Sequence, residues 1–192
     1  MSQQQHTSDH GGQGSNVAKR AEQRWAFVAV LMLILFVGLA AGAGIHYMVM
    51  PQARVETTDP RTVAITGEFV ESNLGSVAEP DGSVTVRALG QRYSFTPSCI
   101  VVPAQTPVRL RATSADVIHG ILIEGTNVNT MLIPGYVSSI TMQFRESGEH
   151  LMPCQEFCSV GHEGMWGKVR VIDKAAFTAA AAKAKRVTCA EQ

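Results

Sequence analysis

The twelve residues Cys154-Gln-Glu-Phe-Cys-Ser-Val-Gly-His-Glu-Gly-Met165 bring two thiols, an imidazole and a thioether into one short stretch. These soft and borderline donors favour copper over hard cations. Cys154 and Cys158 are close enough in sequence for both sulfurs to face one site, and His162 and Met165 follow before the chain can leave it. The stretch therefore predicts a metal-binding loop.

The number of donors indicates two metal ions rather than one. A mononuclear blue-copper site uses one Cys, two His and a weak axial Met, so it would leave one thiolate of the loop without a role. Two thiolates can instead bridge two coppers, and each copper then needs an imidazole. The second imidazole has to come from outside the loop. His119 is the best candidate, because it follows the alternating run 108–113 and a short turn, just past a predicted strand end.

Two simpler interpretations of the Cys-x-x-x-Cys pair are a disulfide or redox dithiol, and a structural zinc site. Neither a disulfide nor a dithiol accounts for His162 and Met165 at their positions. Structural zinc usually uses a Cys-x-x-Cys knuckle paired with a second similar pair, and the sequence contains no such second pair. Copper remains the favoured metal.

The loop and its upstream histidine resemble subunit II of the heme-copper respiratory oxidases. The CuA copper centre of that family has the pattern Cys-x-Glu-x-Cys-x-x-x-His-x-x-Met with an upstream His, and every element is present here. The resemblance covers roughly residues 84–172, including 116–120 and 124–127, and is nearest to the branch whose subunit II has a single membrane helix.

The resemblance implies six copper ligands: His119, Cys154, Glu156, Cys158, His162 and Met165. In that family the two cysteines bridge the metals, each histidine binds one of them, the methionine is axial, and the glutamate contributes its backbone carbonyl. In the two-helix branch the matching carboxylate also helps bind magnesium at the interface with the catalytic subunit. A magnesium ion held in part by Glu156 is therefore a further expectation.

The sequence departs from the family pattern in two places. Ser159 stands where Gly is common after the second Cys, and the Trp-rich aromatic stretch of the two-helix branch is reduced to Tyr93 and Phe95. Trp166 adjoins a predicted ligand. Trp166, Tyr93 and Phe95 are the aromatic residues through which electrons are expected to arrive, with Trp166 preferred.

A stretch without formal charge extends over residues 25–50. Because roughly 20 apolar residues cross the hydrocarbon core, this stretch predicts a transmembrane helix. A cleaved signal peptide is the alternative, but its apolar region would be only about 7–15 residues long. The cations before the span weakly favour a cytoplasmic N-terminus. They are Lys19, Arg20 and Arg24.

The rest of the chain is predicted to be mainly β, a cupredoxin-like antiparallel sandwich or barrel, because short β-rich runs alternate with turn residues. These runs are 63–70, 83–89, 91–95, 100–102, 108–113, 121–124, 137–144, 149–152 and 167–172. An Ala-rich helix is expected over 174–186 after the N-cap residue Asp173. The predicted organisation is a disordered cytoplasmic tail (1–24), a transmembrane helix (25–50), a linker (51–62), a cupredoxin CuA domain (63–173), and a C-terminal helix and tail (174–192).

Two further cysteines lie outside the loop. Cys99 and Cys189 can pair in an oxidising compartment, or remain unpaired with Cys99 as a small buried residue. The chain has a formal net charge of +0 and a pI near 7.0, which gives no indication of a nucleic-acid partner.

The resemblance implies a membrane-anchored electron-transfer subunit in a bacterial-type inner membrane, with a cytoplasmic N-terminus and a periplasmic copper domain. Its donor would be a cytochrome c or a cupredoxin, and its acceptor heme in a catalytic subunit I that reduces oxygen to water. Protein fills all the strong coordination positions, so the subunit would do no substrate chemistry of its own. The alternatives are the copper subunit of a nitric oxide reductase of the same superfamily and a membrane-anchored copper-delivery protein.

Overall fold

The computed structural model describes residues 11–46 and 54–189, which form an N-terminal helix and a β-rich domain. Helix α1 is Gly11–His46, and its segment Asn16–His46 is long and apolar enough to cross a membrane. The helix begins at Gly11, so the tail predicted over 1–24 is helical for part of its length. Polar residues extend a helix at little cost once the apolar span has nucleated it. Residues 1–10 and 47–53, with the predicted C-terminal end of the span, lie outside the described residues.

The β-rich domain contains eleven described strands in two larger sheets and one hairpin. They are β1 Glu56–Thr57, β2 Gly75–Ala78, β3 Val84–Gln91, β4 Ser94–Thr96, β5 Cys99–Pro103, β6 Val108–Ser114, β7 His119–Leu122, β8 Asn129–Leu132, β9 Tyr136–Met142, β10 Gly148–Pro153 and β11 Trp166–Ile172. One sheet has the order β1-β9-β6-β3-β2, with β4 also on β3. The second has the order β10-β11-β5, and β7 pairs with β8.

The cupredoxin-like, mainly β fold predicted from the sequence is confirmed. Most strand pairs are antiparallel, but β3 pairs with β6 and β5 with β11 in parallel. A parallel pair needs a long crossover connection, which the sequence pattern of short strands does not show. One apolar cluster contains fully buried residues of both larger sheets, among them Val86, Leu110, Val101 and Val169. The core therefore contains side chains from the larger sheet and from the β10-β11-β5 sheet, in which β10 and β11 flank the loop 154–165.

The strand predicted over 63–70 is wrong, because this segment consists of turns. Two of its apolar residues are buried, since Val63 and Phe69 are 2% and 1% exposed, whereas Ile65 is 74% exposed. The two buried residues pack in a small separate cluster with Leu74, however, and Gly67 has a φ of +87°. Burial of Val63 and Phe69 in this cluster thus accounts for two apolar positions of the strand-like pattern without a strand. Strands β1, β2 and β8 are present in the structure but were not predicted from the sequence.

Four charged side chains tie β1 and the 61–70 turns to the larger sheet. Arg111 in β6 donates from Nη2 to Glu56 Oε2 (2.6 Å) and from Nε to Glu68 Oε1 (2.6 Å), and Arg87 Nε donates to Glu68 Oε1 (3.1 Å). Burial opposes ionisation of Glu68, but Arg111 and Arg87 outweigh it and lower the pKa of that carboxyl. The segment predicted to be a linker over 51–62 is thus part of the domain from Glu56 onward.

Helix α2 is Lys174–Lys183, shorter than the predicted 174–186. Asp173 occupies the N-cap position, and its carbonyl accepts a hydrogen bond from the Phe177 N–H (2.9 Å). Its carboxylate does not cap the helix but accepts a hydrogen bond from Ser147 Oγ (3.0 Å). Phe177 is the buried residue of α2 and joins the main core.

A disulfide joins Cys99 in β5 to Cys189, with a Cα–Cα distance of 5.8 Å, which resolves the alternative left open by the sequence. We call residues 186–189 the C-terminal strap. Main-chain bridges pair it with both larger sheets, Val187 with Ser76 in β2 and Thr188 with Ile100 in β5. The strap therefore connects the β2 edge of one sheet to the β5 edge of the other.

Candidate metal centre

The loop 154–165 connects two antiparallel neighbours, β10 and β11. Pro153 and Trp166 are register partners at the base of the loop, and the Cys154 N–H donates to the Met165 carbonyl (3.0 Å). Both ends of the loop are therefore fixed by the second sheet. This is why a sequence of only twelve residues can point several donors at one place.

His119 lies at the start of strand β7 rather than in the loop position expected from the sequence, and its side chain is fully buried. Its Nδ1 lies 4.0 Å from Cys154 Sγ. His119, Cys154 and Cys158 offer donor atoms that all lie within 4.8 Å of one another. The structure thus brings the upstream histidine to the loop.

Asp116 fixes the orientation of the His119 ring. Its Oδ1 lies 2.8 Å from His119 Nε2, which assigns a proton to Nε2 and leaves Nδ1 free to face Cys154. Burial opposes ionisation of Asp116. Hydrogen bonds from His119 and from the N–H groups of Arg92 and Val117 outweigh that burial and lower the pKa of the carboxyl to about 2. Its position three residues before the histidine is the only sequence signal for this role.

The two thiols are buried and face each other, with Cys154 Sγ 3.8 Å from Cys158 Sγ. Metal–thiolate bonds are about 2.3 Å long, the length known for zinc, so one ion can touch both sulfurs at this separation. His162 Nδ1 lies 3.7 Å from Cys158 Sγ, on the partly exposed side of the loop. Each sulfur therefore has its own imidazole.

Each sulfur also has one weaker donor beside it. The Met165 thioether, 1% exposed, lies 3.7 Å from Cys158 Sγ, and the backbone carbonyl oxygen of Glu156 lies 3.2 Å from Cys154 Sγ. Two facing thiols, each flanked by an imidazole and a weak donor, form a set of soft and borderline donors of the kind that binds copper. The Glu156 side chain is half-buried, and the contact of this residue with Cys154 Sγ is made by its backbone carbonyl.

The Cys158 thiol is poorly acidic without a metal. Burial, and then the neighbouring Cys154, raise its pKa to about 11. The thiolate is the form that binds metals and attacks disulfides. A metal ion that binds this sulfur therefore has to displace its proton.

Ser159 has a φ of +110°, in the left-handed region that favours glycine. A non-glycine residue there costs about 1–3 kcal/mol and persists where its surroundings hold it. The Ser159 carbonyl accepts hydrogen bonds from the N–H groups of Gly161 and His162 (both 3.0 Å). Glycine, the residue expected here from the family pattern, would adopt this backbone conformation without that cost.

The three aromatic residues expected to receive electrons differ in exposure. Trp166 is 55% exposed and Tyr93 41% exposed, and the Tyr93 ring lies 3.0 Å from where a Cβ on Gly161 would be. Phe95 is 1% exposed and belongs to the core, so its proposed role at the surface is wrong. Its alternating position in β4 points inward, which the short aromatic run did not reveal.

Sequence analysis missed Phe157, although it lies between two ligand candidates. Its side chain is 72% exposed, and its ring meets the His162 ring edge-on at a centroid distance of 5.8 Å. Phe157 therefore joins Trp166 and Tyr93 as an exposed aromatic neighbour of the candidate centre.

Comparison with known proteins identifies the same region of the chain. A family described as "Cytochrome C oxidase subunit II, periplasmic domain" matches residues 83–172. A cytochrome c oxidase subunit 2 of Thermus thermophilus is 32% identical over 152 residues, which cover 78% of this chain and 90% of that protein. A second Thermus thermophilus subunit 2 is 34% identical over 123 residues, covering 64% of this chain and 91% of that protein.

Among solved structures, a chain of a heme-copper terminal oxidase dimer determined by cryo-electron microscopy is similar to this chain. The two share a TM-score of 0.59 and 27% sequence identity, and the match covers 79% of this chain and 99% of that one. The likeness extends well beyond the residues 83–172 of the family match.

Proposed function

This chain belongs to the cytochrome c oxidase subunit II family, and we propose that it relays electrons through two copper ions held by the loop 154–165 and His119. As a subunit of a heme-copper oxidase, it works within an oxidoreductase complex. The observation that carries the proposal is the pair of facing thiols, each with its own imidazole and its own weak donor.

A copper pair bound here would supply a one-electron carrier whose charge change is shared over two metals. The protein would hold the ligands in fixed positions and exclude water from them. His119, Cys154, Cys158 and Met165 are all buried, and the hydrogen bonds at the base of the loop hold its two ends together. Protein donors fill the strong positions, so the arrangement supports electron relay rather than substrate chemistry.

The proposed partners are a donor, either a periplasmic cytochrome c or a cupredoxin, and heme in the catalytic subunit that reduces oxygen to water. The membrane helix would keep the domain beside that subunit. The cations Lys19, Arg20 and Arg24 favour a cytoplasmic N-terminus, which places the copper domain on the periplasmic side of a bacterial-type inner membrane. A reporter enzyme fused after Arg186 is therefore expected to be located in the periplasm. Reporter activity found in the cytoplasm would show that the orientation is the reverse.

Metal analysis with electron paramagnetic resonance of the full chain in detergent, loaded with copper, tests the proposal. We expect a purple protein with two coppers per chain and one unpaired electron shared by both. One copper with a simple four-line spectrum contradicts the binuclear site. A single exchangeable Cu(I) would instead support the copper-delivery alternative.

Replacement of Trp166 by Leu is expected to slow electron uptake from a reduced cytochrome c while both coppers stay bound. The indole is half-exposed, follows the ligand candidate Met165, and is held by a hydrogen bond to the Glu163 carbonyl (2.7 Å). Stopped-flow absorbance of the copper band measures the rate. Leu151→Ala, which removes a 52% exposed side chain of β10, is the control. An unchanged rate in Trp166→Leu with intact copper assigns electron arrival elsewhere, with Tyr93→Leu and Phe157→Leu as the next variants.

Replacement of Glu156 by Gln is expected to leave both coppers in place. A carboxylate is a hard donor and a poor match to a thiolate-rich pair, and the backbone carbonyl that faces Cys154 survives the substitution. Copper content of the isolated chain checks this result, and loss of copper would make the carboxylate itself a ligand. The free side chain is proposed to help bind magnesium at the interface with the catalytic subunit. Slower electron delivery by Glu156→Gln only in the assembled oxidase would support that role.

A further inference from the structure

Gln155 directly follows Cys154 in the loop, and its side chain lies against β7, the strand that carries His119. Its terminal amide covers Gly120, the residue after His119: a Cβ on Gly120 would lie 2.5 Å from Gln155 Cδ and 2.6 Å from its Oε1. Real Cβ atoms do not approach other atoms so closely. Gly120 is buried, and its missing side chain makes the space that the Gln155 amide fills.

The same amide is bonded to the partner strand of β7. Gln155 Nε2 donates to Asn129 Oδ1 (2.8 Å) and to the Thr130 carbonyl (3.4 Å), both in β8. Strand β8 pairs with β7, and Thr130 is the register partner of Ile121. One side chain of the metal loop therefore contacts both strands of the β7–β8 hairpin.

This contact matters because the two halves of the site belong to different sheets. His119 is on the β7–β8 hairpin, whereas the thiols are on the loop between β10 and β11. The described main-chain bond between the two parts is Glu124 N–H to the Leu151 carbonyl (3.1 Å). The Leu151 N–H also donates to Glu124 Oε2 (3.3 Å). Glu124 follows the far end of β7, whereas His119 begins that strand, so these bonds leave the His119 end of the hairpin to be held by other contacts.

We propose that Gln155 is a positioning residue, which fixes the distance between the His119 imidazole and the Cys154 sulfur by clamping the loop onto Gly120 and β8. The inference rests on the proposed function, since it assigns a role toward the copper pair. With the clamp in place, the imidazole of one copper is held as firmly as the loop-borne imidazole of the other. Without it, His119 can move relative to the thiols.

Two substitutions remove the clamp from opposite sides. Gln155→Ala deletes the amide, and Gly120→Ala displaces it from its seat, because the atoms that the new methyl meets are the end of a flexible side chain. In the copper-loaded full chain in detergent, each variant is expected to retain two coppers. Each should show altered copper hyperfine splitting in electron paramagnetic resonance. Each should also release copper to a chelator about tenfold faster, because losing a group that orients a metal ligand weakens metal affinity by about 10–100-fold.

The double variant decides whether the two changes act through one contact. Because both remove the same clamp, Gln155→Ala with Gly120→Ala is expected to match the single variants, whereas independent effects would add. Val160→Ala, which trims an 87% exposed side chain of the same loop, is the control and should leave the spectrum unchanged.

The outcomes separate the clamp from the proposed function. Parent protein that fails to bind two coppers overturns the proposed function, whatever Gln155 does. Normal parent protein with Gln155→Ala indistinguishable in spectrum and release rate overturns the clamp alone. Fully additive effects in the double variant also overturn it. If Gly120→Ala fails to fold, Gln155→Ala carries the test by itself, because its spectrum reports the His119 position directly.

Discussion

Replacement of Cys158 by Ser is expected to abolish the two-copper centre, and Cys154→Ser should do the same. The two sulfurs lie 3.8 Å apart, and each is the neighbour of one imidazole. A hydroxyl is a harder and weaker ligand than a thiolate. Loss of either sulfur therefore leaves at most one copper, with a four-line spectrum in place of the shared-electron signal. Metal analysis with electron paramagnetic resonance measures both.

Met165→Leu is the matched control for the cysteine variants. It removes a buried sulfur from the same side of the site as Cys158, but an axial ligand tunes a copper site more than it anchors the metal. We expect both coppers to remain and the reduction potential to shift. A shared-electron spectrum that survives in Cys158→Ser would show that this thiol does not bridge the metals.

Removal of the Cys99–Cys189 disulfide, by replacing both cysteines with Ser, is expected to lower the free energy of unfolding by about 2–4 kcal/mol. The bond joins residues 90 positions apart, so it restricts a large part of the unfolded chain. It also holds the C-terminal strap, whose Arg186 Nη1 donates to the Glu71 and Leu74 carbonyls (both 2.8 Å). Denaturant titration of a soluble fragment that begins at Arg54 measures the change.

The copper centre provides the control for this stability measurement. Cys99 and Cys189 lie outside the loop 154–165, so the double variant should still bind two coppers with an unchanged spectrum. Equal unfolding free energies for parent and variant, measured without reductant, would show that the strap is held by its main-chain and arginine contacts alone. Loss of copper in the folded variant would instead connect the strap to the metal site.

The metal site was the most predictable part of the molecule, because its chemistry is concentrated in one stretch. The spacing of Cys154, Cys158, His162 and Met165 predicted a common site, and these residues do lie together. His119 could be found because the count of imidazoles demanded one more. The resemblance to a known family then supplied the backbone carbonyl of Glu156, which residue types alone do not reveal.

The features that sequence analysis missed depend on contacts between distant segments. Asp116 and Gln155 act on the site through hydrogen bonds, and only Asp116 has a sequence signal, its position three residues before His119. Phe95 looked like a surface aromatic residue until its strand showed which way it faces. The run 63–70 has a strand-like apolar pattern, but it satisfies burial through turns. Local patterns predict burial well, whereas partners depend on tertiary structure.

The parallel pairing of β5 with β11 sets the order in which the centre can be assembled during protein synthesis. All six candidate ligands precede residue 166, yet the loop that carries five of them is closed only when β11 joins β10 and β5. Contacts between residues so far apart in sequence form late and slowly in folding. Because β11 is the last strand of the domain in sequence, we expect the loop to close around its metal only after β11 has left the ribosome.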